Sequence, residues 1–316
     1  MSKPDSADAE GLSVVIPAYN EEHGIAQVIR SLLSILSECR FDSEIIVVND
    51  GSSDGTDKAL AEFSGRITVH NHSLNRGYGA SIKTGIRNSR FDTICITDAD
   101  GTYPNERIPE LFSLYHEKNC DMLVGGRTGE KVSIPLIRKP AKWVIGQLAN
   151  FVVGARIPDI NSGLRLFNRL TALRMFSILP DGFSLTTTIT LGMMTNGHRV
   201  EYVPINYHHR VGRSKIRPIH DTLNFIQLIL RMALYFAPLK IFVPLSVFLG
   251  ALGIFWGVFS WIVLGKLADV STLILIMTAV QLGAIGMLAE LIHWRMPSLY
   301  RRGDRRSEEG FQEQDE

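Results

Sequence analysis

Phe91-Asp-Thr-Ile-Cys-Ile-Thr-Asp-Ala-Asp-Gly-Thr-Tyr-Pro104 decides how the rest of the chain is read. Thr93 to Thr97 is an apolar, β-branched run bounded by turn formers, the pattern of an interior strand of a parallel sheet. It ends in Asp98-Ala99-Asp100 and breaks at Gly101. Ligands of open α/β sheets lie beyond the carboxyl ends of such strands. Carboxylates at i and i+2 of an extended chain point the same way, so Asp98 and Asp100 can address one ligand. Their hard oxygens suit Mg²⁺ or Mn²⁺, ions that join protein carboxylates to substrate phosphates. An Asp-rich turn capping a helix that begins near Pro104 fits the same letters. The neighbouring sequence has to arbitrate.

Working outward, strand and helix patterns alternate from Leu12 to about Val203. Leu12–Pro17, Glu44–Asn49, Arg66–His70 and Asp121–Gly125 read as further strands. Glu22–Ser37, Tyr78–Asn88 and about Asn105–Glu117 read as helices, the first with Ile25, Val28, Ile29, Leu32, Leu33 and Leu36 on one face. Such alternation predicts a mostly parallel sheet with helices on both faces and the strand ends along one edge. Three polar loops gather there: Pro17–Glu21, Asn49–Gly55 and Asn75–Gly79. Asp50 is suited to accept an N–H from a pyrimidine or purine ring, and its loop reads equally well as a helix-capping turn. In the third loop, glycines and a helix N-terminus offer a place for a diphosphate, which Arg76 would neutralise. Neither G-x-x-x-x-G-K-[ST] nor G-x-G-x-x-G occurs.

The balance of 33 Lys and Arg against 32 Asp and Glu gives no support to nucleic-acid binding. Three scattered cysteines, Cys39, Cys95 and Cys120, suggest a reduced compartment rather than a disulfide framework or a zinc site. The polar N-terminus lacks the apolar core of a signal peptide, and residues 1–11 read as a disordered tail. The mean hydropathy of +0.09 is high for a soluble enzyme. Two late segments account for it. Ile241–Leu264 is uncharged, and Val270–Ile292 carries only Glu290; each is long enough to cross a hydrocarbon core of ~30 Å. Before them, Pro218–Pro238 places Asp221, Asn224, Gln227 and Arg231 in one polar stripe, which suits an interfacial amphipathic helix or one packed on the preceding domain. Gly253-x-x-x-Gly257, with Ala279-x-x-x-Gly283 opposite, would let the spans approach closely. Arg295, Arg301, Arg302, Arg305 and Arg306 follow the second span, while only Lys266 lies between the two. By the positive-inside rule, both termini and the first domain are expected to be cytoplasmic.

Taken together, VVIPAYNEE, VVNDGSSDGT, LNRGYGASIKTGI and ITDADGTYP, in this order, resemble the family 2 glycosyltransferases of GT-A fold. VGGR, DINSGLRLFNR and RVGRSK narrow the resemblance to the polyprenyl-phosphate branch that includes dolichol-phosphate mannose synthase. It covers Leu12 to about Arg217. The expected organisation is a GT-A catalytic domain over 12–217, a Rossmann-like α/β unit. An interfacial helix over 218–238, a transmembrane hairpin within 239–294 and a polar tail over 295–316 would follow.

The resemblance also implies roles. Pro17, Tyr19, Glu21 and Asp50 would hold the base and ribose. Asp98 would contact the nucleotide and Asp100 the metal on its diphosphate, with both carboxylates placed to address the ion. Arg127, Arg138, Arg210, Ser214 and Lys215 would meet the lipid phosphate and the donor's diphosphate. Asp159 matches the aspartate of the family's D-x-x-S-G motif. The synthases carry glutamine where this chain has Thr102, which can offer a hydroxyl or leave the place to water. The expected activity is inverting transfer of a hexose, mannose or glucose first, from a GDP- or UDP-sugar to a polyprenyl monophosphate, with Mg²⁺ or Mn²⁺ as cofactor. Two alternatives stand beside it. One is a processive polysaccharide synthase, whose Q-x-x-R-W motif is not matched by Gln27-Val-Ile-Arg30-Ser31. The other is a non-catalytic nucleotide-binding membrane scaffold. Homo-oligomerisation is left open.

Overall fold

The computed structural model describes residues 11–128, 146–147, 149–206, 227, 229–231, 233–234, 237–265 and 269–295. The sheet has seven strands among these residues: β1 Gly11–Ala18, β2 Asp42–Asn49, β3 Thr68–Asn71, β4 Thr93–Ile96, β5 Met122–Gly126, β6 Arg165–Asn168 and β7 Val200–Pro204. Their order is β3-β2-β1-β4-β6-β5-β7. β1 pairs in parallel with β2 and β4, β2 with β3, and β5 with β7. β6 runs antiparallel between β4 and β5. The sheet is therefore mostly parallel, with one reversed strand inserted beside the Asp98–Asp100 strand.

Alternation along the strands assigns side chains to two cores. Leu12, Val14 and Ile16 of β1, with Cys95 of β4, face α1 (Ile25–Ser37) and α4 (Ile108–Glu117). Val15, Ile94 and Ile96 face α3 (Tyr78–Asn88) and α6 (Leu185–Thr195) on the other side. The short helices α2 (Thr56–Ala61) and α5 (Arg169–Arg174) follow β2 and β6. Pro17 is tolerated in central β1 because β4 is last paired at Val15, so the missing N–H falls beyond the ladder.

A third apolar cluster joins Ala149, Val152 and Ile157 to Leu191, Ile229 and Ala233, with Ile241 packed against it. Lys240 completes this joint. Its Nζ donates to the carbonyls of Val152 at 2.7 Å and Phe151 at 3.4 Å, at the C-terminal end of a helix over 149–153. Cations are favoured at such helix ends.

α7 (Leu239–Leu264) and α8 (Asp269–Arg295) form the hairpin. Only 11% of each apolar span is buried within the protein, so the pair is not the core of a soluble domain. Gly265 ends α7 in the left-handed conformation, φ 65°, that glycine adopts freely. The small residues cross with a different register from the expected one. A Cβ on Gly253 would lie 3.0 Å from Leu275, and one on Gly257 3.0 Å from Thr272, while Ala279 faces Gly250 and Gly283 faces Ser246. The two motifs are offset along the hairpin, each meeting larger residues or one small partner.

Most of 207–236 and all of 129–145 lie outside the described residues. The interfacial-helix expectation for 218–238 and the candidates Arg138, Arg210, Ser214 and Lys215 fall there.

Candidate active site

The carboxyl ends of β1, β2, β4 and β5 come together at one edge. The loops after β1 and β2 are laced to each other. Asn20 holds φ 55°, an unusual conformation that asparagine tolerates best among residues with a side chain. Its Oδ1 accepts from Ser53 N at 2.8 Å, and its own N donates to Ser52 Oγ at 3.0 Å. Glu21 N donates to Thr56 Oγ1, and Glu22 Oε2 accepts from Gly55 N. These bonds leave the Tyr19 side chain exposed at the rim.

Asp50 is 3% exposed and turned inwards. Its Oδ1 accepts from His72 Nδ1 at 2.6 Å and from Arg76 N at 2.9 Å, and its Oδ2 accepts from Gly77 N at 2.7 Å. Thr84 Oγ1 holds the other ring nitrogen of His72 at 3.0 Å. Asp50 therefore fixes the path of the Asn75–Gly79 loop. His72 lay outside the quoted motifs and Thr84 drew no role inside LNRGYGASIKTGI, because what matters is the meeting of a residue just after β3 with one on α3.

That loop differs from the diphosphate cradle read from its glycines. The amides of Arg76 and Gly77 are bound to Asp50, and Ala80 N donates to the carbonyl of Asp181 at 3.0 Å. A Cβ on Gly79 would overlap Pro180 O, and one on Gly77 would lie 2.5 Å from Asp181 O. The glycines thus admit the 180–182 backbone over the start of α3, and the side chain of Arg76 stays exposed. Lys83 ties the same segment down through Leu179 O at 2.9 Å and Asp181 Oδ1 at 2.5 Å.

At the end of β4, Asp98 and Asp100 are half-buried. Tyr78 Oη donates to Asp98 Oδ1 at 3.2 Å. Burial, and then the neighbouring Asp98 charge, push the Tyr78 phenol well above its ordinary value, so it stays a donor. Gly163 packs so close that a Cβ there would lie 3.0 Å from both Asp98 oxygens. Asp100 Oδ1 accepts from Thr102 Oγ1 at 2.6 Å and Thr102 N at 3.1 Å. Thr102 is fully buried, so its hydroxyl serves Asp100 rather than open space. Two hard carboxylates at an open edge fit a Mg²⁺ or Mn²⁺ ion, which is commonly held by one or two carboxylates together with substrate phosphates. Among the described residues there is no group of three or more His, Cys, Asp or Glu side chains that would enclose an ion without such help.

Arg127, just past β5, meets Asp159 in a two-pronged pair. Nε donates to Oδ2 at 2.8 Å, Nη2 to Oδ1 at 3.0 Å, and the Arg127 amide adds a bond to Oδ2 at 3.0 Å. Burial of Asp159 works against its charge, yet the Arg127 bonds prevail and hold its carboxyl below the ordinary range. Asp159 thus orients Arg127 at the edge. The structure brings Pro17, Tyr19, Glu21, Asp50, Arg76, Asp98, Asp100, Arg127 and Asp159 to the same edge, with Asp50 and Asp159 in supporting positions.

Comparison with known proteins agrees with this architecture. The Glycosyl transferase family 2 pattern matches residues 13–174, and the GtrB C-terminal hairpin pattern matches 237–293. A low-salt glycan biosynthesis hexosyltransferase of Haloferax volcanii is 28% identical over 261 residues, covering 81% of this chain and 61% of the relative's length. A dolichyl-phosphate hexose transferase of the same organism is 27% identical over 210 residues, covering 66% of this chain and 88% of its own. In fold, the chain is similar to glucosyl-3-phosphoglycerate synthase of Mycobacterium tuberculosis solved with Mn²⁺, uridine diphosphate and phosphoglyceric acid. The TM-score is 0.54 at 20% identity, over 71% of this chain and 78% of that one.

Proposed function

Because this chain belongs to glycosyl transferase family 2, we propose that it moves a hexose from a nucleoside diphosphate sugar to a polyprenyl monophosphate at a membrane. One observation carries the reading. A single chain joins the Asp98–Asp100 edge to an apolar hairpin of membrane-crossing length through the packed Lys240 joint. The named relatives, one acting on dolichyl phosphate, support the acceptor class.

In this scheme, the base and ribose lie over the Pro17–Glu21 loop, and Asp50 shapes the wall beside them. Asp98 and Asp100 hold the divalent ion, which when bound offsets the charge of the donor's diphosphate. Arg127, oriented by Asp159, faces the phosphates from the β5 side. Arg138, Arg210, Ser214 and Lys215 are the further candidates to meet the lipid phosphate and the donor's diphosphate. A phosphate monoester has a second pKa of ~6, so the acceptor is largely dianionic at neutral pH and needs little help from a general base. One of its oxygens forms the new bond to the anomeric carbon as the bond to the diphosphate breaks. The nucleoside diphosphate leaves with that electron pair, and attack from the opposite face inverts the centre. The charge bias of the tail supports a cytoplasmic side for this chemistry.

The test is transfer of radiolabelled sugar from GDP- and UDP-sugars into an organic-extractable polyprenyl-linked product, with and without chelator. Label in a growing polymer would favour a processive synthase. Nucleotide binding without transfer from any donor would favour a scaffold.

A further inference from the structure

Arg165 is the one fully buried arginine among the described residues, and it stands in an apolar row. Across the sheet the row runs Ile96 on β4, Arg165 on β6, Val124 on β5 and Tyr202 on β7. β6 is reversed, so its first residue lies at the edge where β4 delivers Asp98 and β5 delivers Arg127.

The guanidinium is held only by neutral groups. Nε donates to Ser162 O at 3.1 Å and Nη2 to the same carbonyl. Nη1 donates to Thr186 O at 2.9 Å and Thr190 Oγ1 at 3.0 Å, with Met122 Sδ at 3.9 Å. No carboxylate lies within ion-pair distance of it among the described residues. The Asp159 carboxylate acts on it only from beyond ion-pair distance, and burying a charge held directly by neutral groups costs several kcal/mol. Something at the edge has to make that charge useful.

The connection runs through one peptide group. Its carbonyl, Ser162 O, takes two guanidinium bonds, while its amide, Gly163 N, donates to Tyr103 Oη at 2.6 Å. The Gly163 carbon is the one packed against both oxygens of Asp98. Drawing the carbonyl towards a cation polarises the peptide and makes its amide end, which donates to the buried Tyr103 hydroxyl beside Asp98, more positive.

We infer that Arg165 is a positioning residue that keeps a fixed positive potential beneath the Asp98–Asp100 edge through the Ser162–Gly163 peptide, favouring a nucleoside diphosphate there without touching it. The inference rests on the proposed donor site. At an effective dielectric of about 20, one charge acting across roughly 9 Å changes the affinity for an anion by about an order of magnitude.

The test compares the full-length, detergent-solubilised protein with Arg165→Gln and Arg165→Lys. Calorimetry with Mn²⁺ measures binding of UDP and GDP, each against its own nucleoside, and circular dichroism checks the fold. In Arg165→Gln the diphosphate should weaken about tenfold while nucleoside affinity holds, and Arg165→Lys should keep the wild-type ratio. Equal loss of diphosphate and nucleoside in Arg165→Gln would mean that Arg165 only braces β6 against α6. If Gln does not fold, Arg165→Lys still decides. A folded Lys variant that loses diphosphate selectively overturns the charge argument, and one with an unchanged ratio supports it. A wild-type protein that binds neither UDP nor GDP removes the donor-site reading and this inference with it. A wild-type protein that binds one of them, with an unchanged ratio in folded Arg165→Gln, removes only the inference.

Discussion

A carboxylate serves a divalent ion best when its other contacts already hold it still, and Thr102 does this for Asp100 with both hydroxyl and amide. Thr102→Val keeps the volume and removes one hydrogen bond worth ~1 kcal/mol. We expect about a five-fold weaker dependence on Mn²⁺, read as the metal concentration for half-maximal transfer, with little change at saturating metal. Asp100→Asn removes the anionic ligand itself. Transfer should fall by about two orders of magnitude with the fold intact by circular dichroism; near wild-type turnover would remove Asp100 from the ion's shell. Asp159 gives a pH test. Its carboxyl is held below its ordinary value when folded, so its contribution is complete above the unfolded pKa of ~3.9 and is lost as pH falls through the lower folded value. Melting temperatures of wild type and Asp159→Asn should therefore differ by a constant amount from pH 8 to about 5 and converge only in stronger acid. A gap that closes near neutrality would show that the Arg127 pair is not what stabilises this carboxylate.

Among elements, β1, β2 and β4 were legible because each is a run of apolar β-branched residues closed by a turn former. α1 and α3 were legible from their spacing. β6 was not. Its four residues place a charged arginine at the start of Arg165-Leu-Phe-Asn168, and no periodicity distinguishes so short a strand from a loop. Its burial depends on the Ser162 carbonyl just before the strand and on acceptors of α6, which are remote in sequence. Asp50 shows the same limit from the other side. Its place at the edge was readable, whereas its partners His72, Arg76 N and Gly77 N belong to a loop whose packing under 180–182 no local pattern encodes. The basic segment Arg210–Arg217 also belongs to this scale. A guanidinium that clamps phosphate with two bonds is not replaced by lysine, whereas a collar attracted to anionic headgroups at ~1 kcal/mol per residue is indifferent to the exchange. Arg210→Lys should lower turnover at least tenfold more than Arg217→Lys, with equal membrane attachment, when rates are measured over a range of acceptor concentration. Equal small losses would make the segment a collar only.

At the scale of the molecule, sheet and hairpin are joined rather than strung together. Val152, Ile157, Leu191 and Ile241 share one cluster, and Lys240 is bonded to the end of the 149–153 helix. α7 has 26 residues, about 39 Å of helix at ~1.5 Å per residue, against a hydrocarbon core of ~30 Å. The excess length lets the first turn, with Lys240, stand at the interface while the remainder spans, which is the placement we propose. A fixed joint makes the lipid surface a datum from which the reacting plane is measured. On the proposed function, the acceptor's headgroup would have to rise to that plane while its distant isoprene units stayed in the bilayer. Thickness, rather than acceptor length, then becomes the tuning variable, since mismatch shifts the protein relative to the surface. Transfer assayed in phosphatidylcholines of graded chain length should pass through an optimum, whereas lengthening the polyprenyl chain at fixed thickness should change the rate little. A flat response to thickness would mean that the joint bends, and that the catalytic sheet rides on its membrane anchor like a boat on a slack mooring.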